Sequence, residues 1–203
     1  KDLFMSLRHQ PKAALINDFS GFGRCSVTVA LPIISQMKVQ CCPVLTSVFS
    51  NHTGYPSFYF DDYTEKMPSY IAEWKKLNLH FECIAAGFLG SERQIEIVKN
   101  FIRDFKDETT KVLIDPVMGD HGRTYQTFTP EMCSQMKQLA HFADILTPNL
   151  TEACILTDTP YHDGHWQMSE LSKLALSLIA MGPSKVVITG VSMGTFIGNV
   201  ICE

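Results

Sequence analysis

Three carboxylates in the second half of the chain have the chemistry of metal ligands. Asp115 and Asp120 stand at the two ends of one short segment, and Glu152 follows Asn149 by one helical turn. Carboxylate oxygens are the hard ligands that Mg²⁺ prefers, and Mg²⁺ held by one or two carboxylates commonly carries phosphate. We therefore predict a site for Mg²⁺ and a phosphate group among these residues.

Neutral polar, aromatic and glycine residues accompany the carboxylates. Thr147, Asn149 and Thr189 offer neutral hydrogen bonds, whereas Phe88 and Tyr55 could stack on a flat ring. Glycine has no Cβ, so backbone N–H groups at glycines can approach phosphate closely. The glycines placed for this are Gly21, Gly23, Gly119 and Gly190.

These residues follow apolar runs of strand length that alternate with amphipathic stretches of helix length. This alternation is typical of a parallel sheet covered by helices on both faces. Ligands bind outside the carboxyl ends of the strands in such sheets, so the strand ends predict one elongated site. The predicted strands are Ala13–Ile16, Val39–Val48, Cys83–Ala86, Lys111–Ile114, Asp144–Leu146, Lys185–Ile188 and Thr195–Ile201. The predicted helices are Arg24–Met37, Glu65–Leu77, Glu92–Phe105, Pro130 to about Phe142, Thr151–Leu156 and Ser169–Met181.

Each motif also has a purely structural interpretation. Asp115-Pro116 is typical of a turn, and Thr147-Pro148-Asn149 is typical of a helix N-cap. A functional site is favoured because all the motifs fall at the same end of their strands, which independent turns would not be expected to do.

Composition excludes several classes of protein. The chain has 203 residues and a formal net charge of −4, so it lacks the basic surface of a nucleic-acid-binding protein. No run approaches the ~18 apolar residues of a membrane-spanning helix. Seven cysteines without a repeated C-x-x-C spacing indicate reduced thiols in a cytoplasmic protein. No linker or repeat interrupts residues 1–203, which we interpret as one domain.

The ordered motifs resemble those of pyridoxal kinases in the ribokinase-like superfamily, over about Ala13 to Thr189. The resemblance implies a three-layer α/β/α fold with a mostly parallel central sheet, whose C-terminal part is missing here. It also implies ATP-dependent phosphorylation of the 5′-hydroxymethyl group of a vitamin B6 vitamer, namely pyridoxal, pyridoxamine or pyridoxine. The matching segments are Ser50–Tyr55, Gly87–Ser91, Asp115–Asp120, Ala143–Asn149 with Glu152, and Val186–Thr189.

The resemblance assigns roles to individual residues. It implies that Thr53 and Phe88 contact the pyridine ring and that Asp115 and Glu152 organise Mg²⁺ and its waters. The segment Asn17–Gly23 departs from pyridoxal kinases and is closer to hydroxymethylpyrimidine kinases. By that second resemblance, Asp18 is the ring-contacting residue of the first strand.

The nucleotide and the quaternary structure are likewise implied by the resemblance alone. Asp120, Asn149 and Thr189 are expected near the phosphates of ATP, and a homodimer is expected. Whether a monovalent cation assists is left open.

The catalytic base is not found in the chain. In the family it is the aspartate of a Gly-x-Gly-Asp motif, and no such motif occurs before Glu203. We therefore expect the base to lie beyond Glu203 and the chain alone to be inactive.

Three alternatives stay open at this point. The first is a hydroxymethylpyrimidine or hydroxymethylpyrimidine phosphate kinase of thiamine synthesis. The second is a non-catalytic carrier of a vitamer, because the base is missing. The third, a nicotinamide-dependent oxidoreductase, is disfavoured because Ser20-Gly21-Phe22-Gly23 lacks the G-x-G-x-x-G spacing.

Overall fold

The computed structural model describes residues 10–203, which form a large sheet packed against helices. The strands are β1 (Lys12–Phe22), β2 (Gln40–Asn51), β3 (Phe60–Asp62), β4 (Cys83–Ala86), β5 (Lys111–Ile114), β6 (Gly119–Asp120), β7 (Arg123–Thr124), β8 (Ile145–Leu146), β9 (Lys185–Met193) and β10 (Phe196–Cys202). The helices are α1 (Ser26–Gln36), α2 (Met67–Lys76), α3 (Glu92–Phe105), α4 (Pro130–Ala140), α5 (Leu150–Thr157) and α6 (Met168–Ile179).

The main sheet has eight strands in the order β10-β9-β8-β5-β4-β1-β2-β3. The six central strands pair in parallel, and only the two outermost strands, β3 and β10, are antiparallel to their neighbours. The predicted mostly parallel α/β sheet is therefore confirmed. Strand β10 forms one edge and exposes the side chains of Phe196, Ile197 and Ile201.

The sequence predicted some elements to the residue. Strands β4 and β5 and helix α3 have the predicted bounds, because their apolar periodicity is strong and their ends are marked. Ser91 caps α3 by accepting a hydrogen bond from the backbone of Gln94. The buried stripe along α3 includes Ile95, Val98 and Ile102.

The first strand is longer than predicted. The sequence predicted a strand only to Ile16 followed by a loop, whereas β1 continues to Phe22. Parallel pairing with β2 resumes after an irregularity between Asn17 and Phe19 and extends to the pair Phe22 and Asn51. The prediction failed because this pairing is non-local and the segment is too polar for a buried strand.

The hairpin of β6 and β7 was also not predicted. Its turn residues His121 and Gly122 have φ angles of 49° and 75°, the left-handed pair of a two-residue hairpin turn. Asparagine or aspartate before the glycine would have marked such a turn, but histidine is a weak signal.

The hydrophobic core lies on one face of the sheet. Alternate residues of the central strands, such as Ile84, Val112 and Val186, are fully buried in one cluster with side chains of α2 to α6. Crossover connections are right-handed, and the chain reverses direction across the sheet after β2. Helix α1 therefore lies on the opposite face from α2–α6, and its buried Val27 is outside the main cluster.

The face that carries α1 is only partly covered. Ala13 and Leu15 of β1 are 6% exposed beneath α1, whereas Leu113, Ile145 and Val187 on the same face are partly exposed. Helices thus lie on both faces, as predicted, but among residues 10–203 the second layer consists of α1 alone. Within the same residues, no helix has the length and apolar character needed to cross a bilayer.

Two neighbouring valines of β9 test this one-sided core. Val186 is 0% exposed, whereas Val187 points to the opposite, partly covered face. We expect Val186→Ala to lower the free energy of unfolding by about 2–3 kcal/mol, because it removes buried methyl groups and leaves a cavity. Val187→Ala should lower it by less than about 1 kcal/mol.

Urea denaturation of both variants checks this expectation, since the two changes share the same strand and the same loss of β-propensity. Equal losses in the two variants would show that both faces of the sheet are equally buried.

Candidate functional site

A cavity of about 300 Å³ opens at the carboxyl ends of β5 and β8 and beside the middle of β9. Asp115 directly follows β5, Thr147 directly follows β8, and Thr189 lies within β9. The sequence placed these residues at one edge, and the structure brings them into one cavity. The lining residues are Asp115, Val117, Tyr125, Thr147, Asn149, Glu152 and Thr189.

Glu152 joins two segments of this cavity. Its side chain is only 3% exposed and accepts hydrogen bonds from the backbone N–H groups of Met118, at 3.1 Å, and Asn149, at 2.8 Å. Asn149 in turn caps α5 by accepting from the backbone of Glu152 at 2.9 Å, which completes a capping box. The carboxylate is therefore fixed between the loop after β5 and the first turn of α5.

Burial makes both carboxylates of the cavity weaker acids. It raises the pKa of Asp115 to about 6. The pKa of Glu152 is raised to about 8: burial is the largest cause and the nearby Asp115 charge also raises it, whereas the hydrogen bonds from backbone N–H groups lower it. Without a cation, Glu152 therefore carries a proton for much of the time at neutral pH.

Of the three residues predicted to contact phosphate, the structure places Asn149 and Thr189 in the cavity and Asp120 outside its lining. Asn149 donates from its side-chain amide to the backbone oxygen of Gly119 at 2.8 Å, so both ends of this amide make internal hydrogen bonds. Thr189 lines the cavity and pairs with Asn149 through an isolated parallel β-bridge. Asp120 lies exposed on the β6–β7 hairpin and is not among the residues that line the cavity.

A second group of candidate residues lies towards the other end of the same sheet edge. Phe88 follows β4, and its ring stands edge to face with the ring of Phe49 on β2, at 6.1 Å between centroids. Asp18 of β1 is 6% exposed and accepts a hydrogen bond from the Ser20 hydroxyl at 3.0 Å. Thr53 lies in the exposed turn that follows β2.

Sequence reasoning missed Tyr125, which lines the acidic cavity just after the β6–β7 hairpin. Burial, together with the nearby charges of Glu152, Asp120 and Asp115, raises the pKa of its hydroxyl. Its position follows from the hairpin turn, which the sequence signalled only weakly.

The molecule resembles solved kinase structures in fold. A protein of Bacteroides thetaiotaomicron described as a phosphomethylpyrimidine kinase superposes with a TM-score of 0.88 at 47% sequence identity, over 93% of this chain and 65% of that one. A second crystal form of that protein, with pyridoxal, gives a TM-score of 0.86 at 48% identity, over 90% of this chain and 64% of that one.

Sequence comparison gives the same group of proteins. The pyridoxal kinase of Arabidopsis thaliana is 30% identical over 159 residues, which are 75% of this chain and 49% of that protein. The chain thus spans about half of the length of this curated relative. The model of the phosphomethylpyrimidine kinase family matches residues 31–201, and the chain therefore belongs to that family.

Proposed function

We propose that the chain is part of a kinase domain that phosphorylates the 5′-hydroxymethyl group of a vitamin B6 vitamer with ATP. The observation that carries this proposal is that two kinds of side chain occur at the carboxyl ends of neighbouring strands in one sheet. Asp115 follows β5 and Glu152 lies in the first turn of α5. Phe88 follows β4, the strand next to β5, and Asp18 lies on β1, the strand beyond β4. The carboxylates suit a cation that carries an anionic phosphate donor, and the ring-side residues suit a flat acceptor ring.

The comparison with the pyridoxal-containing structure supports the choice of ring. That relative is 48% identical over 90% of this chain. On this basis we propose pyridoxal, pyridoxamine or pyridoxine as the acceptor.

The chemistry of the acidic cavity fits Mg²⁺ that arrives with a nucleotide. Among residues 10–203 no three His, Cys, Asp or Glu side chains converge as a ready-made metal site. Mg²⁺ is commonly bound through one or two carboxylates, waters and phosphate oxygens, and Asp115 and Glu152 supply that number of carboxylates. Bound Mg²⁺ would neutralise the negative charge of the transferring phosphate.

The residues of the chain itself would bind and orient the reactants. Glu152 holds the loop after β5 against α5, and it releases its proton when a cation is present. Thr189 offers a hydroxyl to a phosphate oxygen, and Asp18 offers a carboxylate to a polar group on the ring. Phosphoryl transfer depends mainly on such positioning and electrostatic stabilisation.

A second candidate function is the phosphorylation of hydroxymethylpyrimidine or its phosphate. The family model and the segment Asn17–Gly23 favour it, and a thiamine biosynthetic enzyme of Arabidopsis thaliana is 25% identical over 189 residues. Competition between pyridoxine and hydroxymethylpyrimidine for the chain distinguishes the two acceptors.

Further properties follow from the family resemblance. We propose ATP and Mg²⁺ as the co-substrate pair, a cytoplasmic location and a homodimer. We also propose that residues 1–203 belong to one domain, whose general base lies outside them.

Binding without turnover is the direct test of the proposal. We expect the chain to bind pyridoxine weakly, because the ring-side residues are present, and to form no phosphate ester with Mg-ATP, because the family's base is not. Loss of a general base alone costs ~10²–10⁴ in rate. Calorimetric titration and a product assay free of host kinase measure both quantities. Turnover at ordinary kinase rates of ~1–100 s⁻¹ would mean that the base lies within the chain.

The two cavity carboxylates are expected to be essential in the gene product that carries this chain. Asp115→Ala and Glu152→Ala should each lower kcat by ~10²–10³, since each removes a charge that binds the cation and phosphate. Asp163→Ala, in an exposed loop, is the control and should leave kcat unchanged. Near-normal turnover of both cavity variants at saturating Mg²⁺ would place the site elsewhere.

The raised pKa of Asp115 predicts a pH-dependent stability. Its folded pKa of about 6 lies above its ordinary value of 3.8, so its stabilising contribution is present at low pH and is lost as the pH rises through 6. Asn at this position does not titrate. We expect the stability of Asp115→Asn relative to the parent to rise by about 1–2 kcal/mol from pH 5 to pH 8.

Urea denaturation in metal-free buffer across this pH range measures the difference. A stability difference that does not change with pH would show that Asp115 ionises normally.

A further inference from the structure

Asn17 makes an unusual pair of hydrogen bonds beside the ring-side residues. Its side-chain oxygen accepts from the backbone N–H of Asp18 at 3.0 Å and from the backbone N–H of Phe88 at 3.0 Å. Asp18 lies on β1 and Phe88 follows the neighbouring strand β4. One oxygen atom therefore joins the two residues that the proposed function assigns to the acceptor ring.

The Asn17 side chain is held in place by the loop that it binds. A Cβ atom on Gly87 would lie 2.6 Å from the amide nitrogen of Asn17, so only glycine allows the loop this close. The backbone N–H of Gly87 also donates to the Ile16 oxygen at 2.9 Å. The loop after β4 therefore rests directly on the Asn17 amide.

The opposite side of Phe88 is held by Thr46 of β2. The buried Thr46 hydroxyl donates to the backbone oxygen of Phe88 at 3.0 Å. Gln94 of α3 holds both segments in place, because its amide donates to the backbone oxygen of Thr46 at 2.8 Å and accepts from the backbone N–H of Gly90 at 2.7 Å. Both backbone polar groups of Phe88 are thus bound by side chains from two different strands.

We propose that Asn17 and Thr46 are positioning residues that fix Phe88 and Asp18 relative to each other and so set the geometry of the acceptor-ring site. The proposal rests on the proposed function of that site. Burial alone requires that the N–H and C=O groups of Phe88 find partners. It does not require that the N–H groups of Phe88 and Asp18 share a single acceptor, which couples their positions.

Loss of either contact should weaken ring binding without unfolding the chain. Asn17→Leu keeps the approximate size of the side chain but removes the acceptor, and Thr46→Val keeps the shape but removes the donor. We expect each to raise the Kd for pyridoxine about tenfold, since one well-placed hydrogen bond is worth roughly that factor. Thr46→Ser keeps the hydroxyl and should restore most of the affinity.

The measurement is calorimetric titration of the 203-residue chain with pyridoxine, which lacks the aldehyde that would react with lysines. Circular dichroism at the titration temperature confirms that each variant is folded. Asn100→Leu, the same change on the exposed surface of α3, is the matched control and should bind as the parent does. In the gene product, the KM for pyridoxine should rise while the KM for Mg-ATP stays the same, a split that general destabilisation would not produce.

The outcomes separate the two hypotheses. If the parent chain does not bind pyridoxine, the proposed function fails for this chain. If the parent binds and a folded Asn17→Leu or Thr46→Val variant binds within about twofold of it, the positioning role is overturned. Tenfold weaker binding in both variants, with recovery in Thr46→Ser, supports the positioning role.

Discussion

The hydrogen bonds of the buried Glu152 carboxylate connect the parts of the acidic cavity. They tie the backbone of Met118, in the loop after β5, to the backbone of Asn149 at the start of α5. The same loop begins with Asp115 and leads into the β6–β7 hairpin and Tyr125. A neutral glutamine could not replace this arrangement fully, because an amide offers one acceptor oxygen where two N–H groups need acceptors on opposite sides.

This arrangement carries an electrostatic cost. Two carboxylates share a small, largely buried cavity, and each is destabilised in its charged form by burial. A cation at this position offsets the cost, so stability and ligand binding are linked at the same two side chains.

Much of the architecture was predictable because it follows from the local spacing of apolar residues. The bounds of β4, β5 and α3 follow from apolar spacing and a single N-cap serine, and the convergence of Asp115, Thr147, Asn149, Glu152 and Thr189 follows from parallel topology. The extension of β1 and the short strand β3 depend on pairing between distant segments, which periodicity does not report.

The same limit applies to the ring-side region. The roles of Asn17, Thr46 and Gln94 arise from hydrogen bonds between residues 42 to 71 positions apart. Nothing in their immediate neighbours in sequence distinguishes them from ordinary strand and helix residues. The exposed position of Asp120 could not be predicted for a different reason: it depends on the β6–β7 hairpin, whose turn has only a weak sequence signal.

The edge strand β10 has a consequence for handling the molecule. Within residues 10–203 its outer side has no neighbouring strand, and Phe196 and Ile197 are 75% and 81% exposed. A row of free backbone donors and acceptors beside apolar side chains is a template for intermolecular strand addition. We therefore expect this edge, far from the acidic cavity, to promote aggregation of the purified chain at high concentration.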